Sequence, residues 1–155
     1  MAARAQGEMR RRILPAGVTG SSSTAGRGWR TAQIATEGLG LSILPDPDLQ
    51  EIDLGDWSGR QIDELRAELP GVAADDPHLW KFDAPGGEGM ATMTARLERV
   101  LERLDGPTVL FTHGVTSRML RCLALGRPVG GLALMPGGQG VVHHLRCGVA
   151  RTIAQ

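Results

Sequence analysis

The sequence contains no tyrosine, and aromatic residues make up only 3% of its 155 positions. Proteins that bind single-stranded nucleic acid stack the bases on aromatic side chains, and duplex-binding proteins carry an excess of basic residues. Here 17 basic residues balance 17 acidic ones, so no net charge draws the chain to nucleic acid or to an anionic membrane surface. We therefore expect a small-molecule partner.

Cysteines and long apolar runs are also scarce. The two cysteines, Cys122 and Cys147, lack the spacing of a metal site or a disulfide framework and fit a reducing compartment. No apolar run approaches the roughly 18 residues of a membrane span. The Arg-rich N-terminus lacks the apolar core of a secretory signal. We predict a cytoplasmic protein with no membrane partner, and its length predicts a single domain over residues 1–155.

Glycine, in contrast, is abundant at 22 residues, which indicates many tight turns. Apolar periodicity predicts helices at residues 4–14, 29–39, 62–69, 90–104 and 115–125. Short strands are predicted at 17–20, 109–111, 132–135, 140–145 and 149–153, loops at 44–48 and 71–89, and an irregular strand or extended loop at 49–54. This alternation is typical of an α/β domain with a mainly parallel sheet and antiparallel edges.

The clearest unit is the strand at residues 109–111, which runs through Thr112-His113-Gly114 into a helix. This places His113 at the carboxyl end of a strand, where α/β sheets bind ligands. A histidine there is either structural or catalytic. Arg27 and Glu51 also fall at predicted strand exits. Because an Arg guanidinium matches phosphate, a His can be a nucleophile or an acid/base, and a Glu can carry a proton, the three fit phosphoryl chemistry.

Four segments in this order resemble motifs of the histidine phosphatase superfamily, which includes phosphoglycerate mutases and α-ribazole phosphatases. They are Ser22-Ser23 leading to Arg27 and Thr31-Ala32, then Leu49-Gln50-Glu51 with Gly55-Asp56-Trp57-Ser58-Gly59, then Pro85-Gly86-Gly87-Glu88, and finally Thr112-His113-Gly114. The resemblance extends over roughly residues 3 to 145. It implies a three-layer α/β sandwich with a mainly parallel sheet.

The resemblance also implies a mechanism in which a nucleophilic histidine accepts a phosphoryl group from a small phosphorylated metabolite. Arg27 would bind the phosphoryl oxygens, and Glu51 would donate and accept the proton. His113 would stabilise the transferring group, and Glu88 would lie on the loop that covers the substrate. No metal or organic cofactor is implied, and no zinc-type ligand spacing occurs in the sequence.

The family opens with a strand ending in Arg-His-Gly, whose histidine is the nucleophile, and this triplet does not occur here. The histidines other than His113 are His78 in a loop and His143 and His144, which point to opposite faces of a predicted strand. We expect the first strand to be missing, residues 4–14 to correspond to the family's first helix, and the chain as written to be inactive.

Two interpretations remain open. The chain belongs to a phosphomonoesterase or mutase whose first strand lies outside this sequence, or it is a degenerate member that binds anions or a protein partner. If the missing strand adjoins residues 109–111, unpaired backbone groups there should favour pairing with another chain, as in a homo-oligomer, or reduce stability.

Overall fold

The structure, a computed structural model, describes residues 17–69 and 77–153. The helix predicted at residues 4–14 and the start of the predicted loop at 71–89 lie outside these ranges. Within them, strands and helices alternate: β1 (Thr19–Ser22), α1 (Gly26–Thr36), β2 (Ile43–Pro45), α2 (Ile62–Glu68), α3 (Met90–Glu102), β3 (Thr108–Phe111), α4 (Gly114–Ala124), β4 (Val142–Arg146) and β5 (Val149–Ile153). Short 3-10 helices lie at Pro47–Leu49, Gly55–Trp57, Leu79–Asp83 and Val129–Leu134.

The described strands form two sheets. Strands β2, β1 and β3 make a parallel sheet in that order, with Ser22 of β1 opposite Phe111 of β3. The ladder extends one residue further, since the Ser23 N–H donates to the Phe111 carbonyl at 2.9 Å. The carboxyl ends of β1 and β3 therefore meet at one edge, which confirms the predicted parallel α/β sheet. The antiparallel strands β4 and β5 form a separate hairpin rather than edges of this sheet.

The main core lies between α3 and α4. Residues three and four apart on α3 are buried, namely Met93, Leu97 and Val100, and they pack against α4. Leu49 and Ile52 join this cluster with exposures of 0% and 6%. Because these two apolar side chains lie on either side of Glu51, burying them fixes the segment that carries the carboxylate.

Helix α1 packs on the sheet through Ala32 and Ala35, which are fully buried beside Phe111. Both alanines belong to the stripe that predicted this helix, although the helix begins at Gly26 rather than at residue 29. The third residue of the stripe, Leu39, lies beyond the helix. Strand β1 also begins and ends two residues later than predicted. These shifts place Arg27 in the first turn of α1.

Three local predictions need correction or choice. Residues 44–48, predicted as a loop, contain the end of strand β2 and the start of the 3-10 turn Pro47–Leu49. Strand β2 lies at the edge of the described sheet, where proline is tolerated. Residues 132–135, predicted as a strand, mostly belong to a 3-10 helix that buries Leu132, because periodicity cannot distinguish so short an apolar run. Residues 49–54 are predicted to form an irregular strand or an extended loop. The extended loop is correct for the residues that follow the 3-10 turn Pro47–Leu49.

The predicted loop at 71–89 is partly folded where the structure describes it. The 3-10 helix Leu79–Asp83 buries Trp80, whose ring centroid lies 5.7 Å from that of Trp57. This contact joins the loop to the Gly55–Trp57 turn, downstream of Glu51. None of the helices in the described part of the chain has the length and apolar content to cross a membrane.

Candidate functional site

His113 occupies the junction between β3 and α4, where its extended backbone precedes the first helical residue. The ring is half-buried, and its Nε2 lies 2.8 Å from the Ser23 hydroxyl at the end of β1. Gly28 of α1 lies against the same ring, and a Cβ at that position would be 3.3 Å from Nε2. A glycine there therefore gives the imidazole room beside the helix.

The charge state of His113 depends on its surroundings. Burial is the largest influence and lowers the pKa of the imidazole below its ordinary value. The negative charge of Glu51 acts in the opposite direction, and the positive charge of Arg27 lowers the pKa further. The net lowering favours a neutral imidazole near pH 7.

The carboxylate of Glu51 lies at the N-terminus of α4. Its Oε2 accepts from the Val115 N–H at 3.1 Å, and its Oε1 accepts from the N–H and the hydroxyl of Thr116, each at 3.0 Å. Free N–H groups and the positive end of the helix dipole make this a favourable place for an anion. Glu51 thus caps the helix that follows His113.

Arg27 extends from the first turn of α1 and is exposed. No ion pair or hydrogen bond engages its guanidinium within residues 17–69 and 77–153. A free fork of donors near a half-buried histidine suits a phosphate or another oxyanion. The structure therefore brings Arg27, Glu51 and His113, which the sequence places far apart, to one edge of the sheet.

Glu88 has a partner of its own. Its two oxygens accept from Nε and Nη2 of Arg96 on α3, at 2.7 and 2.6 Å, and both side chains are 12% exposed. The same guanidinium donates to the carbonyls of Asp48 and Gln50. In this arrangement Glu88 anchors its loop to α3 and to the segment before Glu51.

An open cleft of about 310 Å³ lies beside Glu51 and the pair of Glu88 and Arg96. Glu51 and Asp53 line one part of it, and Gly87, Glu88 and Arg96 line another. The turn at Gly55 packs tightly against the loop at Pro85. A Cβ on Gly55 would lie only 2.3 Å from the Pro85 carbonyl oxygen. Gly55 also has a φ of +46°, which favours glycine.

The remaining histidines belong to other elements. His78 precedes the Leu79–Asp83 helix, whereas His143 and His144 are adjacent on β4, the first half-buried and the second exposed. Within the described ranges, no three His, Cys, Asp or Glu side chains are grouped closely enough to hold a metal ion.

Comparison with known proteins identifies the family of the chain. The sequence model of the histidine phosphatase superfamily, branch 1, matches residues 1–152. The chain belongs to this superfamily. A bifunctional protein of Mycobacterium tuberculosis is 33% identical over 141 residues, which cover 83% of this chain and 34% of that protein. Phosphoserine phosphatase 1 of Hydrogenobacter thermophilus is 29% identical over 113 residues, which cover 68% of this chain and 53% of that protein.

A solved phosphatase structure shares the fold. The α-ribazole phosphatase of Shigella flexneri superimposes with a TM-score of 0.74 at 21% identity, covering 96% of this chain and 77% of that one. The present chain spans about a third to a half of the length of the two curated relatives above.

Several supporting residues have no role in the sequence-based prediction. Ser23 contacts His113, Thr116 binds Glu51, and Arg96 joins Glu88 to residues 48–50. Ser23 belongs to a quoted motif, and its place directly after a strand, four residues before Arg27, is the signal that could have suggested a role. No comparable local signal marks Arg96, because its partners lie 8 to 48 positions away.

Proposed function

We propose that this domain contributes the phosphate-binding and proton-transfer groups of a phosphomonoesterase or phosphoryl-transfer enzyme. The observation that carries the proposal is the arrangement at the shared edge of β1 and β3, where the Glu51 carboxylate accepts from the Val115 N–H two residues after His113 and Gly28, the neighbour of Arg27, lies against the His113 ring. The Arg27 guanidinium has no hydrogen-bond or ion-pair partner among the described residues. The relatives that support it include a phosphoserine phosphatase, and an α-ribazole phosphatase shares the fold. Small phosphate monoesters are the proposed substrate class.

Each group has a proposed task. Arg27 binds oxygens of the phosphoryl group, and His113 donates a hydrogen bond to the same group as charge develops on it. The ester oxygen leaves as the phosphoryl group passes to a nucleophilic histidine, and Glu51 supplies the proton for that oxygen. Glu51 then accepts a proton from the water that attacks the phosphohistidine. Its Oε2 accepts only one hydrogen bond within the described residues, so it retains a lone pair for this proton.

The nucleophile is not among the four histidines of the sequence by this proposal. His113 has the supporting role, His78 precedes the Leu79–Asp83 helix, and His143 and His144 belong to the separate β4–β5 hairpin. We therefore propose that the 155-residue chain, taken alone, binds phosphate without turning over a phosphate ester. A second candidate function is a non-catalytic anion-binding domain. It is supported by the same assignment of the four histidines and by Arg27, whose guanidinium has no partner among the described residues.

An assay with a generic aryl phosphate tests the catalytic part of the proposal. The purified chain should release no aryl alcohol above the rate of buffer, while phosphate should bind. The His113→Ala variant, prepared in the same way, measures any contaminating phosphatase. Turnover by the chain that disappears in His113→Ala would contradict the proposed inactivity and would make this chain a complete enzyme.

A further inference from the structure

The hydroxyl of Ser23 lies where β1, α1 and His113 meet. Ser23 is fully buried, and its Oγ accepts from the Ala25 N–H at 3.2 Å while it lies 2.8 Å from Nε2 of His113. The neighbouring Ser22 is equally buried, but its hydroxyl donates to the Ser23 carbonyl at 3.1 Å. Two adjacent serines with the same burial therefore have different partners, and only Ser23 bonds to the histidine.

The proton positions follow from the available partners. The Ala25 N–H can only donate, so the Ser23 oxygen is the acceptor in that bond and its own proton remains available. Among the described residues the Ser23 hydroxyl has no acceptor other than Nε2 of His113 at 2.8 Å, so this nitrogen is the partner for that proton. A neutral imidazole whose Nε2 accepts a hydrogen bond carries its proton on Nδ1. The Nδ1 atom has no hydrogen-bond partner in the described part of the chain, and it is not among the atoms closed off from solvent there.

We propose that Ser23 is a positioning residue that holds His113 as the Nδ1–H tautomer and directs Nδ1, rather than Nε2, to the phosphoryl group. The claim that a phosphoryl group is the ligand rests on the proposed function, whereas the claim about the tautomer does not. A protonated Nδ1 has no lone pair for attack on phosphorus, and Nε2 is engaged by Ser23. His113 therefore donates a hydrogen bond to a phosphoryl oxygen instead of acting as the nucleophile.

The contacts of Gly28 are consistent with this role. A Cβ on Gly28 would lie 3.1 Å from the Ser23 Cβ and 3.3 Å from His113 Nε2. Helix α1 therefore closes the Nε2 side of the ring with a residue that has no side chain. The Nδ1 atom, which is not among the atoms closed off from solvent, is therefore the ring nitrogen left for a phosphate to approach.

The ring ¹⁵N resonances of the uniformly labelled chain test the proposal directly. Spectra recorded near pH 8, above the ordinary histidine pKa of about 6.5, should show a protonated Nδ1 and an unprotonated Nε2 for His113, assigned by loss of the signal in His113→Gln. Ser23→Ala should abolish this preference, and Ser22→Ala should preserve it. A wild-type His113 protonated at Nε2 would overturn the proposal even if Ser23→Ala fails to fold, as would an unchanged tautomer in a folded Ser23→Ala variant.

Titration with inorganic phosphate tests the second part. Phosphate should shift the Nδ1 resonance more than the Nε2 resonance, and Ser23→Ala should weaken phosphate binding about tenfold, the effect of one hydrogen bond. A shift confined to Nε2 would overturn the assignment of the phosphate-facing nitrogen. Absence of phosphate binding would contradict the proposed function and this part of the inference, while the tautomer measurement would still decide the role of Ser23.

Discussion

Glu51 and Thr116 are joined by two hydrogen bonds, since Oε1 of Glu51 accepts from both the backbone N–H and the hydroxyl of Thr116 at 3.0 Å. The single proton of the Thr116 hydroxyl is shared, since the Gln50 carbonyl oxygen lies 2.7 Å from the same hydroxyl. The residue proposed to move a proton is therefore also the cap of α4, the helix that begins directly after His113. The proposed proton transfer and the local stability therefore depend on the same carboxylate.

We predict that Glu51→Ala destabilises the protein by about 1–3 kcal/mol, since it removes the acceptor of two backbone N–H groups at a helix N-terminus. Urea unfolding followed by circular dichroism measures this free energy. Glu98→Ala, an exposed position on α3, is the control and should change it by less than about 0.5 kcal/mol. Equal stabilities of the two variants would show that Glu51 does not cap α4.

Arg96 should be important for stability although it lies outside the catalytic groups. Arg96→Ala leaves the mostly buried Glu88 carboxylate without its partner and frees two carbonyl groups, so we expect a loss of about 3 kcal/mol. Arg99→Ala provides a matched control on the same helix, because Arg99 is 55% exposed and its ion pair with Asp48 is worth at most about 1 kcal/mol. Similar losses in both variants would contradict a specific role for the Arg96 and Glu88 pair.

The free energy of unfolding should depend on pH through the half-buried histidines His113 and His143. Burial is the largest cause that lowers the pKa of His113 and of His143 below the ordinary 6.5. On acidification the unfolded chain therefore binds protons before the folded one, so their stabilising contribution is complete above about pH 6.5 and is lost as pH falls toward the folded-state pKa. Each histidine changes the free energy of unfolding by at most about 1.4 kcal/mol per pH unit.

The variant His113→Gln isolates the contribution of His113 to this pH dependence. Unfolding free energies at about pH 7.5 and pH 5.5, on either side of the ordinary histidine pKa, should differ less in His113→Gln than in the wild type. His144→Gln should retain the wild-type difference because His144 is exposed. An identical pH dependence in all three proteins would rule out a contribution from His113.

Gly28→Ala should disturb the site more than the fold. The added methyl would lie 3.3 Å from His113 Nε2, so the ring or α1 must shift, and phosphate affinity should fall by about tenfold. Alanine also favours the helix over glycine by up to about 1 kcal/mol, which offsets part of the strain in unfolding experiments. Gly26→Ala, with no atom within 4 Å of its Cβ, should leave phosphate affinity unchanged. Wild-type affinity in Gly28→Ala would show that the ring does not depend on this glycine.

The sequence predicted the elements with long apolar periods well. The stripe of α3 and the unit of β3, His113 and α4 occur close to their predicted positions, because each buries a continuous apolar face. Short segments were less predictable. Strand β2 has three residues and contains proline, and Leu132 is buried by a 3-10 turn whose sequence also fits a strand.

The main site residues could be predicted, whereas their supporting contacts could not. Arg27, Glu51 and His113 follow from chemistry at predicted segment ends and from the family motifs. The contact of Ser23 with His113 spans 90 positions, and that of Arg96 with the Asp48 carbonyl spans 48. Such pairs depend on how the segments pack, which no local pattern encodes. The catalytic roles themselves remain predictions.

Binding of inorganic phosphate, measured by isothermal titration calorimetry, tests the central claim most directly. We predict saturable binding by the wild-type chain and a loss of about 10- to 150-fold in Arg27→Ala, as expected for a charge-assisted contact of about 1.5–3 kcal/mol. Arg30→Ala, an exposed arginine on the same helix, should bind like the wild type. No binding by the wild type, or equal affinities in the two variants, would contradict the assignment of a phosphate site at Arg27 and His113.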